Sequence, residues 1–460
     1  MSVLPFPQHP RLRIAQWSEL SRWDVNSGYE VPWLWPADVL HPLGTALTRR
    51  VVPVVADDLR TVPIIDKISF GGRLFIRPEA DRAGYKGRLF WAVSGELVYS
   101  KIRVKQGSVV IVPPTVAQVA VSNEYPVFSI RPEVALPEYL ALVLRSSSFK
   151  QLLDGLAHGG SSKTRIAAAT LEALPVPLPP LATQQTILEA DAAGRAQAAA
   201  LLAEAAEVEK EATNLFLTSL GVPLTIERPK RQRYFTALWS QLGRWSIEAA
   251  HEGVHGITEV ASNIYPMPGL GTIGAVSYGM QKSPDNRPGT HPRPYLRVAN
   301  VKAGHLDLRE IKFINVPDAQ FPLFEVLPGD LLFVEGNGSR NELGRAALWN
   351  GEIENCVHQN HLIKVRFDRE KILPKFAERW FNTQVGRMHF FRSAKSSSGL
   401  GTINSKEVRA APIPLPPLEI QQALIAADEA RTTHATQLRQ QAEAVAAESL
   451  ARVEKMILGN

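Results

Sequence analysis

Three short motifs in this chain have spacings that chemistry uses. His251-Glu252-Gly253-Val254-His255 fits HExxH, which on a helix holds zinc between two imidazoles and uses the glutamate as general base. Gly253 and Gly256 weaken a helix there, and Ala261 stands where the extended pattern has a third histidine. Gly269-Leu270-Gly271-Thr272-Ile273-Gly274 has the GxGxxG spacing of a dinucleotide loop, yet Met267-Pro268 precedes it instead of a strand, and no regular helix is expected after it. Gly159 to Thr164 lacks the glycine directly before lysine that a phosphate loop needs, and like Ser396 to Thr402 it reads as a backbone-contacting Ser/Gly loop. Asp285, Glu310 and Lys312 are too widely spaced to make a nuclease centre. The lone Cys356 excludes an internal disulfide and a Cys-rich zinc site. Every Pro-Pro pair, at Pro113, Pro179 and Pro416, follows Val or Leu, so the Asn/Asp-Pro-Pro-aromatic grip of an adenine methyltransferase is absent. No Walker A sequence occurs. No catalytic residue, metal ligand or cofactor is therefore assigned; a zinc hydrolase built on residues 251–255 is the alternative of a different class.

What remains suits a polyanion. The net charge is +6 and the isoelectric point near 9.3. Ser100-Lys101-Ile102-Arg103-Val104-Lys105-Gln106 alternates, and on a strand this would put Lys101, Arg103 and Lys105 on one face beside the turn at Gly107. Cations so placed suit phosphates, and Arg103 or Gln106 can meet a base edge with two hydrogen bonds. Lysines also guard edge strands against aggregation, which is the plainer explanation. Asn337, Ser339, Arg340, Asn341 and Arg345 lie in a stretch too polar and Gly-rich for a core, read as a loop whose side chains offer paired donors and acceptors. Asn123 in one place, and Gln359, Asn360 and His361 in another, stand just before apolar strands.

The elements that must position these residues come in duplicate. PVPLPPLATQQ at 175–185 returns as PIPLPPLEIQQ at 412–422, eight of eleven positions identical, and AQWSELSRWDV at 15–25 returns as ALWSQLGRWSI at 237–247, six of eleven identical. Between the two motifs each copy has short Val/Ile/Phe runs broken by Gly and Pro, with strands expected near residues 95–99, 108–112 and 125–130 and near 329–333 and 361–367. Single helices are expected over 137–156 and 374–393. After each proline motif comes an Ala-rich helix, with seams read as Leu201, Ala205, Val208, Ala212, Leu215 and as Ala442, Ala446, Leu450, Val453, Ile457. No stretch approaches 18 apolar residues and no signal peptide is visible, so a cytoplasmic protein is expected.

A globular body ending in PLPPL-x-x-Q-Q and running into a long helix, twice, resembles the specificity (S) subunit of type I restriction-modification systems. SGELVYSKIRVKQGS at 94–108, VSNEYPVFSI at 121–130, PGDLLFVEGNGSRNELGR at 328–345 and HQNHLIK at 358–364 are similar to segments of that family's target recognition domains. The resemblance implies an α+β chain with two similar target recognition domains, residues 1–180 and 236–417. Two long helices, 181–220 and 418–460, with a linker at 221–235, would form an antiparallel coiled coil. It implies a non-catalytic subunit that reads a bipartite site in double-stranded DNA and seats two methyltransferase (modification) subunits, with restriction/translocase subunits as further partners in phage defence. A subunit of a methylation-only complex is the alternative within that class. If the helices are the spacer, adding one in-register heptad to both, about 10 Å at roughly 1.5 Å per residue, should widen the gap between half-sites by up to about three base pairs. Methylation mapping that finds the gap unchanged would rule the spacer out.

Overall fold

Proline cannot donate to a sheet ladder, so a Pro-x-Pro strand must lie at an edge. In the computed structural model, which describes residues 33–55, 59–155, 165–224, 236, 260–281, 289–337, 342–393, 395–397 and 400–460, the proline motif is such an edge in each copy. Pro175–Pro177 runs antiparallel to Leu40–Pro42. In the second copy Gly269 bridges Pro412, and the amides of Ile413 and Leu415 donate to the carbonyls of Pro268 and Pro266 at 3.1 and 2.9 Å. The motif thus closes each body as well as stiffening the chain. The chain divides into two compact units, residues 1–201 with 440–460, and residues 202–439.

In the first unit a 3-10 turn, Leu43–Thr45, leads into an antiparallel sheet in the order Leu47–Arg50, Val127–Ile130, Leu97–Tyr99, Val109–Ile111. Successive side chains of a strand point to opposite faces, and here both faces are covered. Leu97 and Tyr99 pack with Phe128, Tyr139 and Phe149 on one side, Val98 and Val110 with Ile65, Ile68 and Val121 on the other. The second unit repeats the plan. The 3-10 turn is Leu270–Thr272, and the sheet runs Gly274–Tyr278, Leu362–Phe367, Leu331–Val334, Ala346–Leu348, the same order of strands in chain sequence. Leu331 and Phe333 face one cluster, Leu332 and Val334 the other. The GxGxxG spacing is therefore the turn and first strand of this body, with no helix after it to take a pyrophosphate. A left-handed glycine stands two residues before Leu97–Tyr99 and two before Leu331–Val334: Gly95 at φ 83° and Gly329 at φ 96°. A buried carboxylate follows each: Glu96 accepts from Arg50 Nη1 at 2.6 Å and Asp330 from Arg366 Nη2 at 2.7 Å.

The helices after the sheets are interrupted where the sequence predicted single ones. Pro137–Arg145 and Ser147–Gly155 break at Ser146, and Pro374–Phe381 is separated from Met388–Ser393. A hydroxyl causes each break. Ser146 Oγ donates to Val143 O at 2.7 Å and accepts from Phe149 N at 3.1 Å; Thr383 Oγ1 donates to Trp380 O at 2.7 Å and accepts from Gly386 N at 2.9 Å. Competition of this kind between hydroxyl and backbone ends a helix locally.

The first glutamine of each QQ pair joins body, proline motif and long helix. Gln184 has no exposed surface. Its Oε1 accepts from Leu136 N at 2.9 Å, and its Nε2 donates to Val134 O at 2.9 Å and Pro179 O at 2.8 Å. Gln421, equally buried, repeats the set with Leu373 N at 2.8 Å, Lys371 O at 3.0 Å and Pro416 O at 2.8 Å.

The two long helices are Leu181–Ser219 and Leu418–Leu458. In the first unit Gly194 lies against Ser449, leaving no room there for a Cβ, and Val453 and Ile457 pack with Ile187. In the second unit Arg439 pairs with Glu209, Nη2 to Oε2 at 2.6 Å. The helices thus run antiparallel as a coiled coil. Its seam differs in part from the one read in the sequence: Ala205 and Ala212 are buried, but Leu215 is 49% and Leu450 61% exposed and Ala446 is exposed, while Phe216 and Leu438 are buried. Spacing alone admits both faces; the close approach at Gly194 selects the one with small residues. The tryptophan motifs at 15–25 and 237–247, residues 159–164 and the HExxH at 251–255 lie outside the described residues.

Replacing Gln184 or Gln421 by Ala strands one buried amide and two carbonyls, and should cost about 2 to 4 kcal/mol in urea unfolding. The exposed Gln185 and Gln422 changed likewise should cost about 0.5 kcal/mol or less. Equal losses for both pairs would refute the bracket.

Candidate nucleic-acid interface

Residues 100–107 are not a strand. The strand ends at Tyr99, Lys101–Arg103 turn, and Val104–Gln106 form a 3-10 turn closed by Gly107 at φ 94°. The reason is Val104, which is fully buried and pulls the segment inward, with its amide on Ser100 O at 2.8 Å and Ser108 N on Arg103 O at 3.1 Å. Alternation therefore does not put three cations on one face: Arg103 and Gln106 are exposed, Lys101 and Lys105 half-buried. Ser100 is buried, and its Oγ accepts from Arg103 N at 3.3 Å, so it shapes the turn and is not presented to a ligand. The neighbouring turn carries the exposed Asn123, and Lys101 N donates to Glu124 O at 3.0 Å, which sets the two turns side by side. Tyr125 stands behind them; burial raises its phenol pKa and the charge of Asp66 adds to this, opposed by Arg103 and Arg77.

Residues that the sequence did not single out complete this surface. In the hairpin Ile65–Ile68/Leu74–Ile76, Lys67 Nζ lies 5.2 Å and Arg73 Cζ 5.1 Å from the ring centre of Phe75, and Phe70 at its tip is 53% exposed. The signal was present as Lys67-Ile-Ser-Phe70-Gly-Gly-Arg73-Leu-Phe75, cations interleaved with aromatics around a glycine pair.

In the second unit the polar stretch after Val334 begins as a strand, Gly336–Asn337, paired with Leu400–Thr402; Ser339, Arg340 and Asn341 lie outside the described residues. Arg345, expected in an exposed loop, is turned inward. It is 8% exposed, and its guanidinium donates to Val301 O at 2.8 Å, Val298 O at 3.2 Å and Glu342 Oε2 at 2.8 Å. A polar sequence context concealed a buried arginine that ties loop carbonyls together. Gln359 and Asn360 are half-buried, their amides donating to Leu296 O at 3.0 Å and Met280 O at 2.9 Å at the strand ends. His361 is exposed with Nδ1 2.6 Å from Glu335 Oε2. Behind this turn His358 has no exposed surface; burial, and then the charge of Lys364, lower its pKa to about 3, so it is a neutral imidazole bonded to Phe324 O at 3.0 Å. Burial likewise lowers Lys364 to about 8, against the pull of Asp330.

Residues 86–190 match the family model described as type I restriction modification DNA specificity domain. The type I restriction enzyme EcoKI specificity subunit of Escherichia coli (strain K12) is 23% identical over 329 residues, 71% of this chain and 64% of that protein. The StySPI specificity subunit of Salmonella potsdam is 24% identical over 304 residues, 65% of this chain and 59% of that protein. The chain thus spans less than two thirds of the length of these relatives. A chain from a structural study of complex assembly and conformational transition in the type I R-M system superposes with a TM-score of 0.55 at 17% identity, over 91% of this chain and 96% of that one. In sequence this chain resembles the specificity subunits of type I restriction-modification systems, and in fold a chain from the type I R-M system. Among the described residues no helix is long and apolar enough to cross a membrane.

Arg345→Ala should lower stability by about 2 kcal/mol or more, since buried carbonyls lose a charged donor. Arg103→Ala should leave the melting temperature unchanged and weaken duplex binding by roughly 1 to 3 kcal/mol if it pairs with a guanine. The reverse pattern in paired melting and binding measurements would show that the two arginines have been assigned to the wrong roles.

Proposed function

We propose that this chain is the non-catalytic, sequence-reading subunit of a type I restriction-modification complex, with two target recognition domains that each read one half of a bipartite site in double-stranded DNA. The observation that carries the reading is the duplication of one body plan, down to the buried glutamine bracket, with different polar residues at the turns of the two copies: the exposed Arg103, Gln106 and Asn123 on the first, the half-buried Gln359 and Asn360 and the exposed His361 on the second. Two frames of one design with unlike surfaces suit two unlike half-sequences. Arginine, glutamine and asparagine can each hold a base edge by two bonds in the major groove, whereas lysine serves phosphates. Asn337, Ser339, Arg340 and Asn341 belong to the same proposed surface of the second domain. Methylation and cleavage are assigned to partner subunits, two modification subunits and the restriction/translocase subunits, for which the duplicated bodies and coiled coil are the scaffold; the complex would act in the cytoplasm.

The test is selection from a pool of random duplexes on the immobilised chain, alone and with its modification subunits. Sequencing of the retained DNA should show two fixed blocks of bases at a constant separation. Enrichment of a single block, or of none, would defeat the bipartite reading.

A further inference from the structure

The hairpin Ile65–Ile68/Leu74–Ile76 is held as rigidly as a core element, although its tip is at the surface. Ser69 N donates to Arg73 O and Arg73 N to Ser69 Oγ, both at 2.9 Å, and Gly72 N donates to Ser69 O at 3.0 Å. From outside the hairpin, Ser108 Oγ donates to Ile68 O at 3.1 Å and Arg145 Nη1 to Gly71 O at 3.1 Å. Gly72 has φ 80°, and a Cβ there would sit 2.9 Å from Val109 O, so the turn is also packed against the sheet. This much bracing is costly if it only presents Phe70 to water, because an exposed phenyl keeps its apolar surface in contact with solvent. The cations are uncompensated. Among the described residues neither Lys67 nor Arg73 has a carboxylate partner; both lean on Phe75, which fixes their direction. Asp66, the hairpin's own carboxylate, lies toward Arg77, Asp81 and Tyr85, with which it lines a separate cleft.

A pinned two-stranded ribbon with one cation on its first strand, a second just before its other strand and an apolar ring at the tip has the charge of a major-groove reader, and that groove, about 12 Å wide, admits a two-stranded ribbon. We propose that this hairpin enters the major groove of the half-site read by the first domain. Lys67 and Arg73 meet the phosphates, and Phe70 meets base edges, thymine methyl groups above all. The assignment rests on the DNA-recognition reading above and adds the element that does the recognising.

Fluorescence anisotropy of the full chain tests it, using the duplex selected by the wild-type chain and an unrelated duplex of equal length. Lys67→Ala/Arg73→Ala should weaken both duplexes by on the order of tenfold and reduce the slope of log affinity against log salt by about 2; Lys67→Arg should restore its share. Phe70→Ala should weaken the selected duplex by roughly tenfold and the unrelated one by less than about twofold, and its effect should vanish when uracil replaces thymine in the affected half-site. These side chains are exposed, and unchanged melting curves will verify that the variants fold. Wild-type selection of a sequence with all three variants binding as wild type would overturn the hairpin assignment and leave the DNA reading intact. Failure of the wild-type chain to select any duplex would overturn both. Equal loss by the double variant on polyglutamate would instead make this an acidic-protein surface and overturn the proposal.

Discussion

A glutamine side chain has one acceptor and two donor hydrogens, and when it is buried all must be matched or the fold loses free energy. Gln184 and Gln421 are matched by the same three partners in each copy: the amide just before the helix proline, a carbonyl two residues earlier, and the carbonyl of the first proline of the Pro-Pro pair. No other residue type satisfies that set from one Cα position. The direction in which each long helix leaves its body follows from it, because the helix begins within the bracket. The sheet, the proline strand and the interrupted helices can vary in side chain; this junction cannot vary in chemistry.

Much of the architecture was legible because it is written twice. Near-identical proline motifs, each followed by an Ala-rich helix, announced equivalent bodies, and the apolar runs at 97–99 and 331–333 located the central strands. The sites were harder to read, for physical reasons that differ from case to case. At 100–106 the alternation of charged and apolar residues is real, but two buried positions in a tight turn produce the same pattern as a strand. At Arg345 composition misled, since a long side chain can reach inward from a polar segment and spend its donors on carbonyls. Along the helices, alanine on several faces left the seam undetermined until Gly194 and Ser449 showed where the backbones meet.

The two bodies differ most where their frames agree most. Glu96 and Asp330 occupy one position in the plan, yet the first is held by Arg50, Val93 N and Ser129 and the second by Arg366 and Leu327 N. A carboxylate of either length is accommodated by exchanging its partners. The buried Lys364 pairs with Leu332 across the second sheet, where the first sheet pairs Val127 with Val98. Shared backbone plan with independent side-chain solutions is what long-separated copies of one unit would retain.

The sheets with two covered faces have a wider consequence. A sheet used on both sides as an interior has no face left to offer, so any surface that meets a partner must be made of the turns at its ends and the elements laid over it. Substitutions at the exposed positions of those turns, such as Arg103 and Asn123, leave the two apolar clusters, and with them most of the folding free energy, untouched. Preference can then change in one step while the framework stands still, and each copy can change without the other. On the proposed reading, a lineage built this way would carry two independently replaceable reading heads on a single inherited chassis, and the number of distinct readings available to it would grow as the product of the variants of each, not as their sum.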